Sequence, residues 1–286
     1  MAASATVTVS TLQPNVDGTV TDPTTGLTWM RCAMGQTWTG NSCSGTASTY
    51  TFDQANALTG TVTFAGQSDW RMPNIRELQT IVDLSTYTPA INSTAFPNTP
   101  NLFFWSGSPK ASSSSFAWVV SFDKGMPNDF GGRSDNYAVR LVRGGQSFSP
   151  LLSITRPTSD YVDHGNGTVT HAPTNLTWMR CAMGQTWTGN SCSGTASTYT
   201  FDQANALTGA TTFAGQSDWR LPTAGELLSL VDYSIASPSL TINASIFPNT
   251  PNFLWSVSPV AFKSTSSWGV SFTFGVFYTN LRTYDD

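Results

Sequence analysis

The residue types that most often carry chemistry are scarce in this chain. The chain has two histidines, His164 and His171, and four cysteines in two equally spaced pairs, Cys32/Cys43 and Cys181/Cys192. A histidine beside a serine or cysteine could act as the general base of a nucleophilic site. Paired cysteines could bind zinc or form disulfide bonds. The surrounding sequence distinguishes these alternatives.

An internal duplication argues against histidine catalysis. Residues 29–71 match residues 178–220 almost without change, at a constant offset of 149 positions. At that offset the first copy has Asn15 and Asp22 in place of the two histidines, so a histidine-dependent site common to both copies is excluded. No phosphate-binding loop, dinucleotide-binding motif or HExxH motif occurs, and no motif supports a glycosidase-type carboxylate pair. We therefore expect a protein that is not an enzyme and needs no cofactor.

The cysteine pairs favour disulfide bonds. Each pair encloses the same ten residues. Near-identical segments should fold alike, which favours the bridges Cys32–Cys43 and Cys181–Cys192 among the three connectivities that four cysteines allow. No CxxC motif or nearby histidine supplies a tetrahedral zinc site, and we predict no metal. Disulfides persist in oxidising compartments, so the pairs predict a secreted or cell-surface protein.

Composition and charge narrow the classes of partner. Only 10% of the 286 residues are charged, and the formal net charge is −4. This balance argues against nucleic acid or an anionic membrane as the main partner. No run of 18 apolar residues occurs, so no membrane span is predicted. The N-terminal residues lack the features of a signal peptide, and we expect the leader of an exported protein to lie outside this sequence.

The predicted elements repeat in both copies and define an α+β fold. Capping boxes that begin at Thr51 and Asn74 predict two short helices per copy, the first from Phe52 to Leu58. Alternating apolar residues predict short antiparallel strands at residues 17–21, 26–30, 102–106, 117–122 and 137–143. We place the two domains at residues 1–146 and 147–286.

The second copy is predicted to lack its final strand. The counterpart of residues 137–143 would begin at Asp286. The first strand of this copy, expected near residues 151–155, would then have no partner on one side. Such an open edge could be completed by a strand from another chain, which would allow self-association.

Several motifs recur in a fixed order and carry a family resemblance. They include Asp-Gly-Thr-Val-Thr, Gly-Gln-Ser-Asp-Trp-Arg-Met-Pro-Asn, Phe-Pro-Asn-Thr-Pro and Tyr-Ala-Val-Arg-Leu-Val-Arg-Gly-Gly. In this order they resemble the bacterial DUF1566 family, also named for the C-terminal domain of a Legionella collagen-like adhesin. The resemblance covers nearly all of both copies. It implies two tandem C-type-lectin-like domains, in which the N- and C-terminal strands of a domain pair, and a secreted or bacterial surface location.

Other prominent residues are interpreted as scaffold. Trp70 is expected in the core, and Arg71 is expected to pair with Glu77 at the start of the second helix. Trp29, Trp105 and Trp118 are likewise assigned to the core because each has a counterpart in the second copy.

The candidate ligand-binding residues form two sets. Trp38 and Trp187 lie inside the cysteine loops, where an exposed aromatic ring could stack on a sugar or a partner protein. The second set lies in segments 123–136 and 273–280, which diverge between the copies and which the resemblance places on the ligand-facing side. Its members are Asp123, Asp129, Arg133, Asp135, Asn136, Phe274, Phe277, Tyr278 and Asn280. The alternative is that both segments are unconstrained surface loops, with solvated carboxylates rather than a weak calcium site.

The leading hypothesis is an extracellular or cell-surface protein for binding or adhesion. Its divergent loops would contact a glycan or a surface protein. The alternative is a structural subunit of a surface fibre, in which strand addition between chains completes the second copy.

Overall fold

The computed structural model describes residues 2–3, 12–145, 150–236 and 238–284, which form two units. The N-terminal unit comprises Thr8–Ile154, and the C-terminal unit comprises Thr155–Asp286 together with Met1–Val7. The boundary therefore lies several residues beyond the predicted position. The first residues of the chain also belong to the second unit.

The N-terminal unit is built from short strands and two helices. Its helices are Phe52–Ala57 and Ile75–Gln79. Its strands are Gln13–Pro14, Thr19–Asp22, Leu27–Met30, Thr37–Trp38, Cys43–Ser44, Thr49–Tyr50, Phe103–Lys110, Ser113–Ser121, Pro127–Gly132, Tyr137–Ala138 and Val142–Gly144. Antiparallel pairing dominates, and the mixed, sheet-rich fold with short helices is confirmed.

The C-terminal unit repeats this plan. Its helices are Phe201–Ala206 and Ala224–Ser229, with a 3-10 turn at Thr158–Asp160. Its strands are Ala2–Ala3, Tyr161–Asp163, Thr168–His171, Leu176–Met179, Thr186–Trp187, Cys192–Ser193, Trp219–Arg220, Phe253–Pro259, Ser266–Ser271 and Val276–Leu281. The predicted strand near residues 151–155 is wrong, because Pro150–Leu152 forms a 3-10 turn. Proline fixes φ and lacks a backbone N–H, which suits the first residue of such a turn.

The predicted capping boxes open all four α-helices. Thr51 accepts a hydrogen bond from the Gln54 N–H, while the Gln54 side chain accepts one from the Thr51 N–H. The other three helices show the same reciprocal pair at their first turn. These bonds satisfy backbone N–H groups that a helix start leaves unpaired.

Large aromatic side chains fill the core of the N-terminal unit. Trp29, Trp70 and Trp105 are completely buried, as predicted. The ring of Phe52 meets Trp105 edge to face, with centroids 5.4 Å apart. Aromatic pairs prefer this edge-to-face geometry, and burial of each ring removes a large apolar area from water.

The predicted strand at residues 137–143 is interrupted. Tyr137–Ala138 pairs in the larger sheet, whereas Val142–Gly144 pairs with Leu27–Met30 in the smaller one. Between these strands the chain crosses from one sheet to the other, and Arg140 is completely buried there. A continuous strand is incompatible with pairing in two sheets.

The predicted open edge of the C-terminal unit is partly covered. Ala2 pairs with Trp178 and with Arg220. In the N-terminal unit Val142 makes the equivalent pairs with Trp29 and Arg71. Ala2–Ala3 therefore takes the register of Val142–Arg143. Backbone hydrogen bonds specify this pairing, so the small side chains gave no strand pattern to detect.

Candidate functional site

The two predicted disulfides are confirmed. Cys32 is bonded to Cys43, and Cys181 to Cys192, each across 11 positions. Each bridge closes a small loop that contains a two-stranded hairpin. The loop fixes the position of the tryptophan on its first strand.

Trp38 is half-buried against its own unit. The Arg31 guanidinium lies 4.3 Å from the centre of the Trp38 ring. The indole N–H donates a 3.1 Å hydrogen bond to the Val16 carbonyl. A Cβ at Gly18 would lie 2.8 Å from Trp38 Cγ, so the ring rests directly on that backbone. These contacts give Trp38 a role in packing.

Trp187 packs against the equivalent arginine and glycine in the C-terminal unit, but its indole N–H, unlike that of Trp38, has no acceptor among the described residues. The Arg180 guanidinium lies 4.1 Å from its ring centre. A Cβ at Gly167 would lie 3.0 Å from Trp187 Cγ. Arg180 also forms a 2.7 Å ion pair with Asp163. The first predicted set of ligand residues is therefore used largely for internal contacts.

The acidic residues of the segment 123–136 make local contacts. Asp123 accepts a 2.9 Å hydrogen bond from the Thr88 hydroxyl. Asp129 forms a 2.7 Å ion pair with Lys110, across the strand Ser113–Ser121 that lies between their two strands. Half of the segment is strand Pro127–Gly132 rather than loop. The carboxylates thus face separate partners.

Arg133 and Asp135 close the end of this segment. Arg133 lies 4.4 Å from the Phe52 ring centre and forms a 2.9 Å ion pair with Asp53. Asp135 accepts hydrogen bonds from the Gly132 N–H at 3.0 Å and the Tyr137 hydroxyl at 3.2 Å. Burial, together with the charge of Asp135, raises the pKa of Tyr137.

Asn136, next to this pair, is exposed. Across the parts of the chain that the structure describes, no group of three or more His, Cys, Asp or Glu side chains is arranged to hold a metal ion.

The C-terminal unit presents exposed aromatic rings at the equivalent place. Phe274 is 48% exposed and Tyr278 is 43% exposed. Their ring centroids lie 6.3 Å apart in an edge-to-face arrangement. Phe277 instead points inward and packs on Trp268 at 5.8 Å. The strand Val276–Leu281 thus carries one buried and one exposed ring, and Phe274 lies in the turn before it.

Tyr278 shares a sheet face with two further residues. Asn280 lies two positions along the same strand, so it points to the same side. Gly269 pairs with both Tyr278 and Trp255, which places these two side chains on one face. Trp255 is buried and lines a cavity in the same unit. The exposed ring of Tyr278 and the cavity therefore belong to the same side of the sheet.

The cavity has a volume of about 150 Å³. Its wall is mainly apolar and includes Met179, Met183, Leu221, Phe247 and Trp255. Sequence reasoning did not predict this cavity.

The two histidines serve local structure. His171 is completely buried, and its Nδ1 lies 2.8 Å from the Thr174 hydroxyl. Its ring lies beside Tyr161 with centroids 5.0 Å apart. His164 Nε2 lies 2.9 Å from the Thr170 hydroxyl.

The predicted pair of Arg71 and Glu77 is confirmed at 2.6 Å, and Arg220 pairs with Glu226 at 2.7 Å. Glu226 lies at the start of its helix and also accepts from the Thr223 N–H at 2.7 Å. Burial alone would raise the pKa of Glu226, but the hydrogen bonds from Arg220 and Thr223 lower it overall. The pKa of Arg220 is raised by the same contact. This ion pair ties the helix start to the preceding strand.

Comparison with known families identifies both halves. The model of the Lcl C-terminal domain family matches residues 18–143 and again residues 167–285, which together cover most of the chain. No curated protein shows significant sequence similarity to it. In the described ranges, no helix has the length and apolar character needed to cross a membrane.

Proposed function

The chain belongs to the Lcl C-terminal domain family, and from that premise we propose that it is an extracellular or cell-surface binding protein without catalytic activity. Its ligand is a glycan or a surface protein, contacted where the two units differ. The family resemblance supports a C-type-lectin-like arrangement of each unit and a bacterial source. The two disulfides support an oxidising compartment.

The exposed pair Phe274–Tyr278 carries this proposal. Soluble proteins usually bury such rings, and exposed aromatic side chains that sit together often anchor a sugar or a protein partner. Tyr278 lies on the strand Val276–Leu281, and Phe274 lies in the turn that precedes it, so the sheet holds one ring of the pair in place. Asn280 on the same face adds a polar group that can orient a ligand.

The N-terminal unit contributes less to binding in this proposal. Asp129 and Arg133 each form an ion pair within the unit, so a ligand would have to compete for them. Asn136 is one of the exposed polar residues of the segment. We therefore assign the main contact to the aromatic face of the C-terminal unit.

Exchange of the divergent segments tests the proposal. The full chain is applied to a glycan array and to intact cells, beside a chain in which residues 273–280 are replaced by the first-copy counterpart. Binding by the wild-type chain and its loss on exchange are expected. A blank result on both surfaces, or binding that survives the exchange, contradicts the proposal.

A second candidate function is a subunit of a surface fibre. It is favoured by one observation, that Ala2–Ala3 fills a sheet position in a unit whose other residues begin at Thr155. A strand from so distant a part of the chain can be exchanged between molecules, which yields dimers or open assemblies.

Light scattering during size-exclusion chromatography tests this candidate. Oligomers that grow with protein concentration, and that disappear in an Ala2→Pro/Ala3→Pro variant, are expected. A strict monomer at high concentration contradicts the candidate.

A further inference from the structure

The cavity of the C-terminal unit corresponds to a filled position in the N-terminal unit. There, Val139 and Leu141 are completely buried and belong to the main apolar core, together with Met30, Met72 and Trp105. The counterparts of these three core residues are Met179, Leu221 and Trp255, and all three line the cavity.

Backbone hydrogen bonds fix the segment that fills this position in the N-terminal unit. The Met30 N–H donates to the Leu141 carbonyl at 3.1 Å, and the Met34 N–H donates to the Val139 carbonyl at 2.9 Å. The backbone of this segment, which lies between two short strands, is therefore bound by neighbouring backbone groups, and the side chains of Val139 and Leu141 are buried in the core.

Arg140 lies between these two apolar residues and binds a set of oxygens. Its guanidinium donates to the Met30 carbonyl at 2.9 Å and to the Thr99 hydroxyl at 2.7 Å. It also donates to the Arg31 carbonyl and lies 4.7 Å from the centre of the Phe96 ring.

The same set of groups lines the cavity of the C-terminal unit. The counterparts of the residues around Arg140 are Met179, Arg180, Phe247 and Thr250. The Thr250 hydroxyl donates to the Phe247 carbonyl at 2.7 Å, as Thr99 does to Phe96, which leaves its oxygen free to accept.

The lining of the cavity is also more accessible than its filled counterpart. Ala182 and Leu254 are partly exposed, whereas Ala33 and Phe104 are buried in the N-terminal unit. The Met183 N–H has no acceptor among the residues that the structure describes. The cavity combines an apolar wall with a backbone N–H donor and with oxygens that can accept hydrogen bonds from a guanidinium. This combination matches a peptide strand better than a small apolar molecule.

We propose that this cavity is a binding site for an extended strand supplied by a partner protein. The side chains of this strand follow the order apolar–Arg–apolar. Among the described residues, the segment of this type is residues 139–141, and Arg140 and its neighbours are buried in the N-terminal unit. Ala2 takes the register of Val142, so Ala2–Ala3 covers only the adjoining positions. Binding of a strand in the cavity is independent of binding of the ligand assigned to Phe274 and Tyr278.

A synthetic peptide tests whether the cavity binds a strand of this type. The peptide has the sequence of residues 137–145, Tyr-Ala-Val-Arg-Leu-Val-Arg-Gly-Gly, and is titrated into the full chain by calorimetry. Saturable binding with one site per chain is expected. A peptide with Ala in place of Arg140 should bind at least about tenfold more weakly, because it leaves the carbonyls and the Thr250 hydroxyl unpaired.

Matched protein variants test whether the peptide binds in the cavity. Ala182→Phe adds bulk to the cavity wall, and Ala210→Phe makes the same change at an exposed position outside it. Both variants are checked for wild-type circular dichroism and monomeric mass. Loss of peptide binding in Ala182→Phe alone is expected.

Three results would overturn the proposal. They are the absence of saturable binding to the wild-type chain, equal affinity of the two peptides, and unchanged binding by a folded Ala182→Phe variant. If Ala182→Phe does not fold, Thr250→Val replaces it and should reduce the affinity for the Arg-containing peptide but not for the Ala-containing one.

Discussion

The guanidinium of Arg140 donates a 2.9 Å hydrogen bond to the backbone carbonyl of Met30, across 110 positions of the chain. Burial lowers the pKa of Arg140 to about 9, so the side chain is still protonated at neutral pH and remains a donor. A buried cation is tolerated only where it is well hydrogen-bonded. This bond joins the last strand of the N-terminal unit to its first hairpin.

Replacement of Arg140 should destabilise the N-terminal unit strongly. Arg140→Ala leaves two carbonyls and the Thr99 hydroxyl without their donor, and we expect a loss of about 3 kcal/mol in the free energy of unfolding. Denaturant unfolding measures this loss. Arg143→Ala, which breaks a more exposed pair with Asp69, is the control and should lower the free energy of unfolding much less. Equal effects of the two substitutions would contradict this role.

Removal of either disulfide should lower the free energy of unfolding by a similar amount. Each bridge closes a loop across 11 positions, so loop-closure entropy predicts a loss of about 3 kcal/mol for Cys32→Ser/Cys43→Ser and for its second-copy equivalent.

A non-reduced tryptic digest provides an independent check of the disulfide pairing. Both cysteines of a copy fall in one peptide, 32–71 or 181–220, and the two peptides have different masses because residues 61 and 62 differ from 210 and 211. A cross-link between these peptides would contradict the assigned pairing.

The Arg220–Glu226 pair should make the C-terminal unit sensitive to acid. The pKa of Glu226 is lower in the folded chain than its ordinary value. Such a carboxylate stabilises the fold above its unfolded pKa, and this stabilisation is lost as the pH falls through the folded pKa. We expect Glu226→Gln to cost about 2 kcal/mol at pH 7 and the difference from wild type to shrink below about pH 4. Unfolding curves at several pH values measure this. A constant difference, or the same behaviour in the exposed control Asp202→Asn, would contradict the assignment.

Gly167 should be required for the packing of Trp187. Both Gly167 and Gly165 have positive φ, at 87° and 71°. A Cβ at Gly167 meets the Trp187 ring at 3.0 Å, whereas a Cβ at Gly165 meets nothing within 4 Å. Both Ala variants carry backbone strain of about 1 kcal/mol, and the ring contact should add about 1 kcal/mol or more at Gly167 only. Thermal unfolding of the two variants compares them. Equal melting temperatures would show that the ring is free to move.

Local patterns predicted most elements of the fold. The spacing of Thr51 and Gln54 sets a helix start because only neighbouring backbone groups take part in a capping box. The disulfides followed from duplication, since two near-identical segments must fold alike. The core tryptophans followed from their size and their repetition in both copies.

Contacts between distant segments could not be predicted in this way. The crossing at Arg140 depends on pairing in two different sheets, which the alternation of residues 137–143 does not reveal. The position of Ala2–Ala3 depends on pairing with strands that are distant in the sequence. The ion pair of Asp129 with Lys110 depends on the order and register of three strands, which the sequence pattern does not reveal. Asp129 is predicted as a ligand residue because its segment differs between the copies and because of the family resemblance.

The most direct test of the central claim is the binding of the full chain to intact cells, measured by flow cytometry, with and without its two exposed rings. Phe274→Ser/Tyr278→Ser removes the rings from a solvent-facing surface, and Tyr87→Ser removes a similarly exposed ring from the N-terminal unit. We predict that the double variant binds at least about tenfold more weakly, because two anchoring aromatic side chains are lost, while the Tyr87 variant binds like wild type. Wild-type binding by a folded double variant would contradict the claim that this face contacts the ligand.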